Sequence, residues 1–285
     1  GAAHTEGLGE RGVAWHKSHL LAHLAPEGQA LVSADYDDLV REARAVFGDV
    51  LFFTASGRPL SYRAAYAGCS DGVHGQYRLW LDGRPCDVIA PFRGDYGTEN
   101  CIAVAAAAHM LGLTAEEIAA GFADAQLPPQ RFARSRRGNW DIVDDTYNAN
   151  PLSMARMLDA AAESAQKRPF VVVLGEMREL GSVADREHER LGRHLAQLRP
   201  VLVFWRGGHA DAVRDGLEHG LYTGKFLPVD SGEAFVQALR EHLPAETGEQ
   251  GGLMLFKGSR GNHLEELLEA LEQSDWLPGS RTESL

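Results

Sequence analysis

Short apolar runs recur through the second half of the chain, at residues 140–143, 170–174, 201–205, 225–229 and 253–256, each followed by a stretch with helical spacing. Strands that alternate with helices call for a parallel sheet joined by right-handed crossovers, so this half is predicted to be a Rossmann-like α/β domain. The first half is less regular. It predicts a helix over 13–24, a buried strand over 30–33, a helix over 35–47 and an apolar run over 50–54. A hairpin follows over 76–91, turning at Asp82-Gly83, with Arg78, Trp80 and Arg84 set among its apolar residues as in a half-exposed edge pair. An Ala-rich helix over 100–111 and a second one capped by Thr114 complete this half. The break at Leu127-Pro128-Pro129 sets the expected boundary, giving segments 1–127 and 128–273, with residues 274–285 read as a frayed tail. Asn262 followed by Glu265 reads as a capping box opening the last helix.

Composition narrows the class. Across 285 residues, 44% hydrophobic and 24% charged content suits a globular protein of two domains, and the longest apolar stretch, 102–108, is too short to span a bilayer. A formal net charge of -12 argues against a general binder of nucleic acid. The three cysteines, Cys69, Cys86 and Cys101, are widely spaced and suggest neither a disulfide framework nor a zinc site, which fits a reducing cytoplasm. The N-terminus carries no basic and apolar signal pattern.

The candidate chemistry gathers at three strand ends. After the run at 140–143 come Asp144, Asp145, Thr146, Tyr147, Asn148, Ala149 and Asn150, then Pro151, a residue suited to a first helical turn, with Asn150 placed to cap the helix. After 170–174 come Gly175, Glu176, Met177, Arg178, Glu179, Leu180 and Gly181, which match neither GxGxxG nor a Walker pattern. After 253–256 come Lys257, Gly258, Ser259, Arg260 and Gly261, two cations, a hydroxyl and two glycines between a strand and a helix, an arrangement fitted to an anion. Ligands of open α/β sheets collect at such carboxyl ends. His19 and His23 stand at ligand spacing, yet no HExxH accompanies them and they read as surface. The arginines at 131, 134, 136 and 137 read as a solvated strand edge.

These three stretches, in this order and with His188 following the second, resemble the Mur ligases of peptidoglycan synthesis, and within them the D-alanyl-D-alanine-adding (MurF) branch. Ala3-His4-Thr5-Glu6-Gly7-Leu8-Gly9 and Gly12-Val13-Ala14-Trp15-His16-Lys17 are similar to two further segments of that branch, so the likeness covers essentially residues 1–273. It implies a C-terminal Rossmann-like domain preceded by the second half of a central ATP-binding α/β domain. It also implies ATP and Mg²⁺ as cofactors, UDP-MurNAc-tripeptide and D-Ala-D-Ala as partners, an acyl phosphate intermediate, and a cytoplasmic monomer without membrane insertion. By the resemblance His4 is a Mg²⁺ ligand, and Lys17 matches the lysine that related ligases carry as a carbamate near a second metal. Asn100, Arg131 and Asp145 are implied to hold ATP, Asn148 and Asn150 to face the reacting centre, and Lys257, Ser259 and Arg260 to bind the amino substrate. The opposing charge of an acyl phosphate and a dipeptide carboxylate agrees with that set of cations.

Two departures accompany the likeness. Where the family has Gly-x-His-Asn-x-x-Asn, this chain has Gly94-Asp95-Tyr96-Gly97-Thr98-Glu99-Asn100, and no GxxxxGK[ST] occurs. The expectation is therefore a piece of a longer ligase whose phosphate-cradling loop lies upstream, inactive by itself. A non-catalytic nucleotide- or ligand-binding relative and a sister Mur ligase with another amino acceptor are the alternatives.

Overall fold

The computed structural model describes residues 11–69, 74–92, 94–128, 130–243, 247, 250–276 and 282–284. The chain divides into two compact units and passes from one to the other between Gln126 and Leu127.

The first unit is built on a five-stranded sheet in sequence order: β1 (Ala30–Ser33), β2 (Val50–Thr54), β3 (Tyr62–Cys69), β4 (Gly75–Leu81) and β5 (Arg84–Ala90). The β1/β2 and β2/β3 pairs are parallel, and the last two pairs antiparallel. The hairpin closes at Asp82-Gly83, both at positive φ, as its turn requires. Strand β3 has no counterpart in the sequence reading. Its alanines and glycine carry little β preference, and pairing to β2 and β4 recruits it. The helices are α1 (Gly12–Ser18), prolonged by a 3-10 turn at His19–His23, α2 (Asp37–Val46), α3 (Thr98–Met110) and α4 (Ala115–Ala123). Small side chains let α3 approach the sheet, where Cys101, Ile102, Ala105 and Ala106 bury against Tyr77, Leu79 and Val88. Thr114 closes a capping box with Glu117 at the start of α4.

The second unit carries a seven-stranded sheet in the order β10 (Lys225–Pro228), β9 (Leu202–Arg206), β8 (Phe170–Gly175), β11 (Gly252–Lys257), β7 (Trp140–Asp145), β6 (Ala133–Arg137) and β12 (Thr282–Ser284). The first five run parallel, and β6 and β12 add antiparallel pairs at the edge. Helices α5 (Pro151–Ala165), α6 (Ala184–Leu198), α7 (Ala210–His219), α8 (Gly232–His242) and α9 (Leu264–Gln273) supply the crossovers. Every residue of β8 and β11 is buried, as in a parallel sheet covered on both faces. Phe204, Phe235 and Phe256 stack edge to face at 4.8 and 5.9 Å in the core on one of those faces. Each such ring contributes about 1.5–3 kcal/mol through burial. Among the described residues no helix is long and apolar enough to cross a membrane.

Three local expectations are corrected. The arginine run is not solvated throughout: Arg134, Arg136 and Arg137 lie on β6 as expected of a strand edge, but Arg137 turns inward, is 6% exposed and donates to Glu272 O at 2.6 Å and Ser274 O at 2.5 Å. It thereby satisfies free carbonyls at the C-terminal end of α9. Residues 274–276 are consequently held rather than frayed, with the Trp276 ring 5.4 Å from that of Trp140. Asn262 does not cap α9; His263, in the left-handed region, occupies that position without a side-chain bond. The Asn262 amide is drawn elsewhere, to Glu176 O at 2.8 Å.

Replacing Arg137 with Met should lower the unfolding free energy by about 1.5–3 kcal/mol, because two charge-assisted bonds from a buried guanidinium to helix-end carbonyls are lost. Arg136→Met, at an exposed neighbour, should stay within about 0.5 kcal/mol. Chemical denaturation of the two variants provides the comparison, and equal effects would mean that Arg137 is not a helix-end anchor.

Candidate functional site

Strand order brings the three stretches together. Strand β11 lies between β7 and β8, and Lys257, its last residue, is in register with Asp145 on one side and Leu174 on the other. The turns after these strands therefore emerge side by side at the carboxyl edge of the sheet, where parallel sheets place their ligands.

A buried ion pair fastens the first turn to the third. Lys257 Nζ donates to Asp145 Oδ2 at 2.5 Å and to Asn148 O at 3.0 Å, with the two side chains only 3% and 15% exposed. The other Asp145 oxygen accepts from Phe132 N at 3.2 Å. Asp145 and Lys257, which the resemblance assigns to different ligands, are thus bonded to each other first. A carboxylate has about four acceptor directions, so Asp145 keeps capacity for one further donor.

Next to them Asp144 accepts from both Thr146 N and Thr146 Oγ1, at 3.1 and 2.7 Å, closing an Asx-type turn. Burial raises the Asp144 pKa, the nearby Asp145 and Glu265 charges add to that, and the Thr146 bonds oppose it. Asn150 Oδ1 accepts from Ser153 N at 2.9 Å while Ser153 Oγ accepts from Asn150 N at 3.0 Å, the reciprocal cap of α5, with Pro151 in its first turn. Asn148 Oδ1 accepts from Ala149 N at 2.8 Å. Both asparagines therefore shape the turn.

Ser259 joins all three turns. Its hydroxyl accepts from Arg178 N at 3.0 Å and donates to Ala149 O at 3.4 Å, and its own N–H donates to Glu176 O at 3.3 Å. The close approach depends on glycine: a Cβ at Gly175 would fall 2.6 Å from the Asn262 amide nitrogen, and one at Gly258 would fall 3.0 Å from Gly175 Cα. Arg178 is turned to Glu176 Oε1 at 2.9 Å, whose second oxygen accepts from Gly208 N at 2.6 Å. Over this framework Tyr147, 39% exposed, carries the Arg131 guanidinium 4.1 Å from its ring centroid and that of Arg260 at 5.8 Å. The outcome is an exposed aromatic ring between two exposed cations, above a buried ion pair. Such an arrangement suits a planar or anionic group.

Seven of the sequence-predicted residues, Arg131, Asp145, Asn148, Asn150, Lys257, Ser259 and Arg260, stand together in the second unit. Lys17, exposed in the last turn of α1, and Asn100, exposed in the first turn of α3, belong to the first unit. Beside Asn100, Glu99 accepts from Ser33 Oγ and Tyr36 OH, both at 3.0 Å. Gly97 has a packing reason, since a Cβ there would lie 2.4 Å from the Phe92 ring. His4 lies outside the described residues. Among those described, no cluster of three or more His, Cys, Asp or Glu is arranged for a metal. His19 is engaged locally, its Nδ1 3.0 Å from Trp15 O. Sequence reasoning read Asn262 as a helix cap and missed its bond to Glu176 O, and it missed the bond from Met177 N to His188 Nε2; the available signal was the glycines at 175 and 258, where a Cβ would crowd the Asn262 side chain.

Residues 130–260 match the family described as "Mur ligase, glutamate ligase domain". The UDP-N-acetylmuramoyl-tripeptide--D-alanyl-D-alanine ligase of Escherichia coli (strain K12) is 30% identical over 96% of this chain and 58% of its own length. Its counterpart from Synechocystis sp. (strain ATCC 27184 / PCC 6803 / Kazusa) is 31% identical over 91% and 53%. A crystal structure of MurF from Acinetobacter baumannii superimposes with a TM-score of 0.72 at 30% identity, over 91% of this chain and 55% of that one. The chain thus spans somewhat more than half the length of the relatives it matches. With the domain matched, the likeness extending over both units and the three turns in place, the chain carries a Mur ligase C-terminal domain and is similar to the D-alanyl-D-alanine-adding Mur ligases over nearly its whole length.

Proposed function

We propose that this chain is part of an ATP-dependent amide ligase that adds D-Ala-D-Ala to UDP-MurNAc-tripeptide in peptidoglycan precursor synthesis, in the cytoplasm. The observation that carries the reading is the convergence of Arg131, Asp145, Lys257, Ser259 and Arg260 at one sheet edge, in a chain that over more than nine-tenths of its length is similar to relatives bearing that name. In the reaction, a carboxylate oxygen of the tripeptide takes the γ-phosphoryl group of ATP, ADP departs, and an acyl phosphate forms. The dipeptide amine then attacks the carbonyl carbon, the C–O bond to phosphate breaks, and the nitrogen loses a proton as the amide forms.

Each residue of the site has a place in that scheme. Asp145, already oriented by Lys257 and Phe132 N–H, accepts from a ribose hydroxyl with its remaining lone pairs. Arg131, steadied on Tyr147, offers its donors to nucleotide phosphate or ribose. Arg260 stands on the same ring with its fork available for the dipeptide carboxylate, and Ser259 holds that segment in place. Asn148 and Asn150 fix the turn through their side-chain oxygens and present their Nδ2 groups to the reacting centre. The family likeness assigns Asn100 to the nucleotide and Lys17 to the phosphoryl centre. By the same likeness His4 would hold Mg²⁺, which would offset phosphate charge.

The test is phosphate release from ATP by the protein that carries this chain, which should require both UDP-MurNAc-tripeptide and D-Ala-D-Ala; no release with both present refutes the reading. In that protein Arg260→Ala should raise KM for the dipeptide by roughly ten- to a hundredfold and leave KM for ATP within about threefold. Equal effects on the two substrates would contradict the role given to Arg260.

A further inference from the structure

His188, in the second turn of α6, takes no direct part in the site above, yet it is fully buried (0% exposed) and both ring nitrogens are committed. Its Nδ1 lies 2.7 Å from Ala184 O, an atom that can only accept, so Nδ1 carries the proton. Its Nε2 lies 3.0 Å from Met177 N, an atom that can only donate, so Nε2 must be bare. One state of the imidazole, neutral with the proton on Nδ1, satisfies both partners. A second proton would set two donors against each other across a buried contact.

The residue after Met177 is Arg178, whose N–H is held by Ser259 Oγ. Consecutive amides of the 175–178 turn are therefore clamped, one by His188 from α6 and the next by the serine that also reaches Ala149 O. We propose that His188 is the positioning residue of the site: in its neutral form it latches the Met177 amide and so sets where Ser259 and Arg260 stand, and its protonation releases the latch.

The surroundings favour the neutral form. The ring stacks on His209 at the head of α7, 4.6 Å between centroids and 11° from parallel, and meets Trp205 of β9 edge-on at 5.6 Å. The charged groups facing it are His209, Glu176 in the latched turn and Asp185 on its own helix; Asp185 is occupied by His209 Nδ1 at 2.6 Å and Glu176 by Arg178 and Gly208. Arg206 of β9 is directed to His263 O and Glu266. Burial, aided by the charge of His209, holds the His188 pKa below its ordinary 6.5, against the pull of the Ala184 bond, Glu176 and Asp185. A histidine with a lowered folded pKa contributes its full stabilisation above about pH 6.5 and loses it as pH falls through the folded value.

The latch rests on the ligase reading only for what the turn meets, and it is tested on the folded chain without nucleotide or peptide, so either claim can fail alone. In ¹⁵N-labelled protein, the His188 ring shifts should report the neutral Nδ1–H tautomer at about pH 7.5. Hydrogen-exchange protection at the Met177 and Arg178 amides should drop by about tenfold or more as the ring protonates, while Val172 in β8 stays protected. His188→Gln, which keeps an acceptor near the Nε2 position, should retain the protection and lose the pH step, whereas His188→Phe should lose the protection at every pH. An Nε2–H tautomer, protection that ignores the ring's titration, or a Gln variant as unprotected as the Phe variant would overturn the proposal. The tautomer reading stands whether or not the variants fold.

Discussion

The contact on which the site depends is the ion pair between Asp145 and Lys257. Their side chains are withdrawn from water at the ends of adjacent parallel strands, and each takes a second bond, Asp145 from Phe132 N and Lys257 to Asn148 O. A pair of this kind adds little net stability compared with an apolar pair of the same shape, because both charges must be desolvated. What it fixes is geometry. Once Lys257 is tied to Asp145 and Asn148, the turn after β7 cannot shift without exposing or orphaning a charge, and Tyr147 is held where Arg131 and Arg260 reach it.

The second layer of the site is made of backbone rather than charge. Gly175 and Gly258 let two strand ends approach until Asn262 fits between them, and Ser259 bonds across to both neighbouring turns. Polar side chains deep in the structure thus hold loops that expose arginines at the surface. This division explains why so many of the polar residues in the three motifs are buried: Lys257, Ser259, Asn262 and His188 are each 5% exposed or less. A few exposed groups, Tyr147, Arg131 and Arg260, are mounted on them, an arrangement fitted to rigid positioning.

Much of this architecture is legible in the sequence, for a physical reason. Strands covered on both faces must be continuously apolar, which makes 170–174 and 253–256 plain to see, and Asn150-Pro151 marks a helix start through local chemistry alone. The parts that were not legible are bonds between distant residues. Arg137 finds its carbonyls 135 and 137 positions away, Asn262 finds Glu176 at 86, and Lys257 finds Asp145 at 112. At such separations a cation beside a glycine can be read as a ligand contact or as an internal brace. Lys257 is an internal brace in the structure, and Arg260 remains exposed.

A double-mutant cycle on the pair tests this account most directly. Asp145→Asn and Lys257→Met each leave a buried charge without its partner, so each should cost about 3–5 kcal/mol of unfolding free energy, and the double variant should cost well below their sum, with a coupling of at least about 1.5 kcal/mol. Losses that add to within about 0.5 kcal/mol would show that the two residues act independently and that the site is not built on their contact.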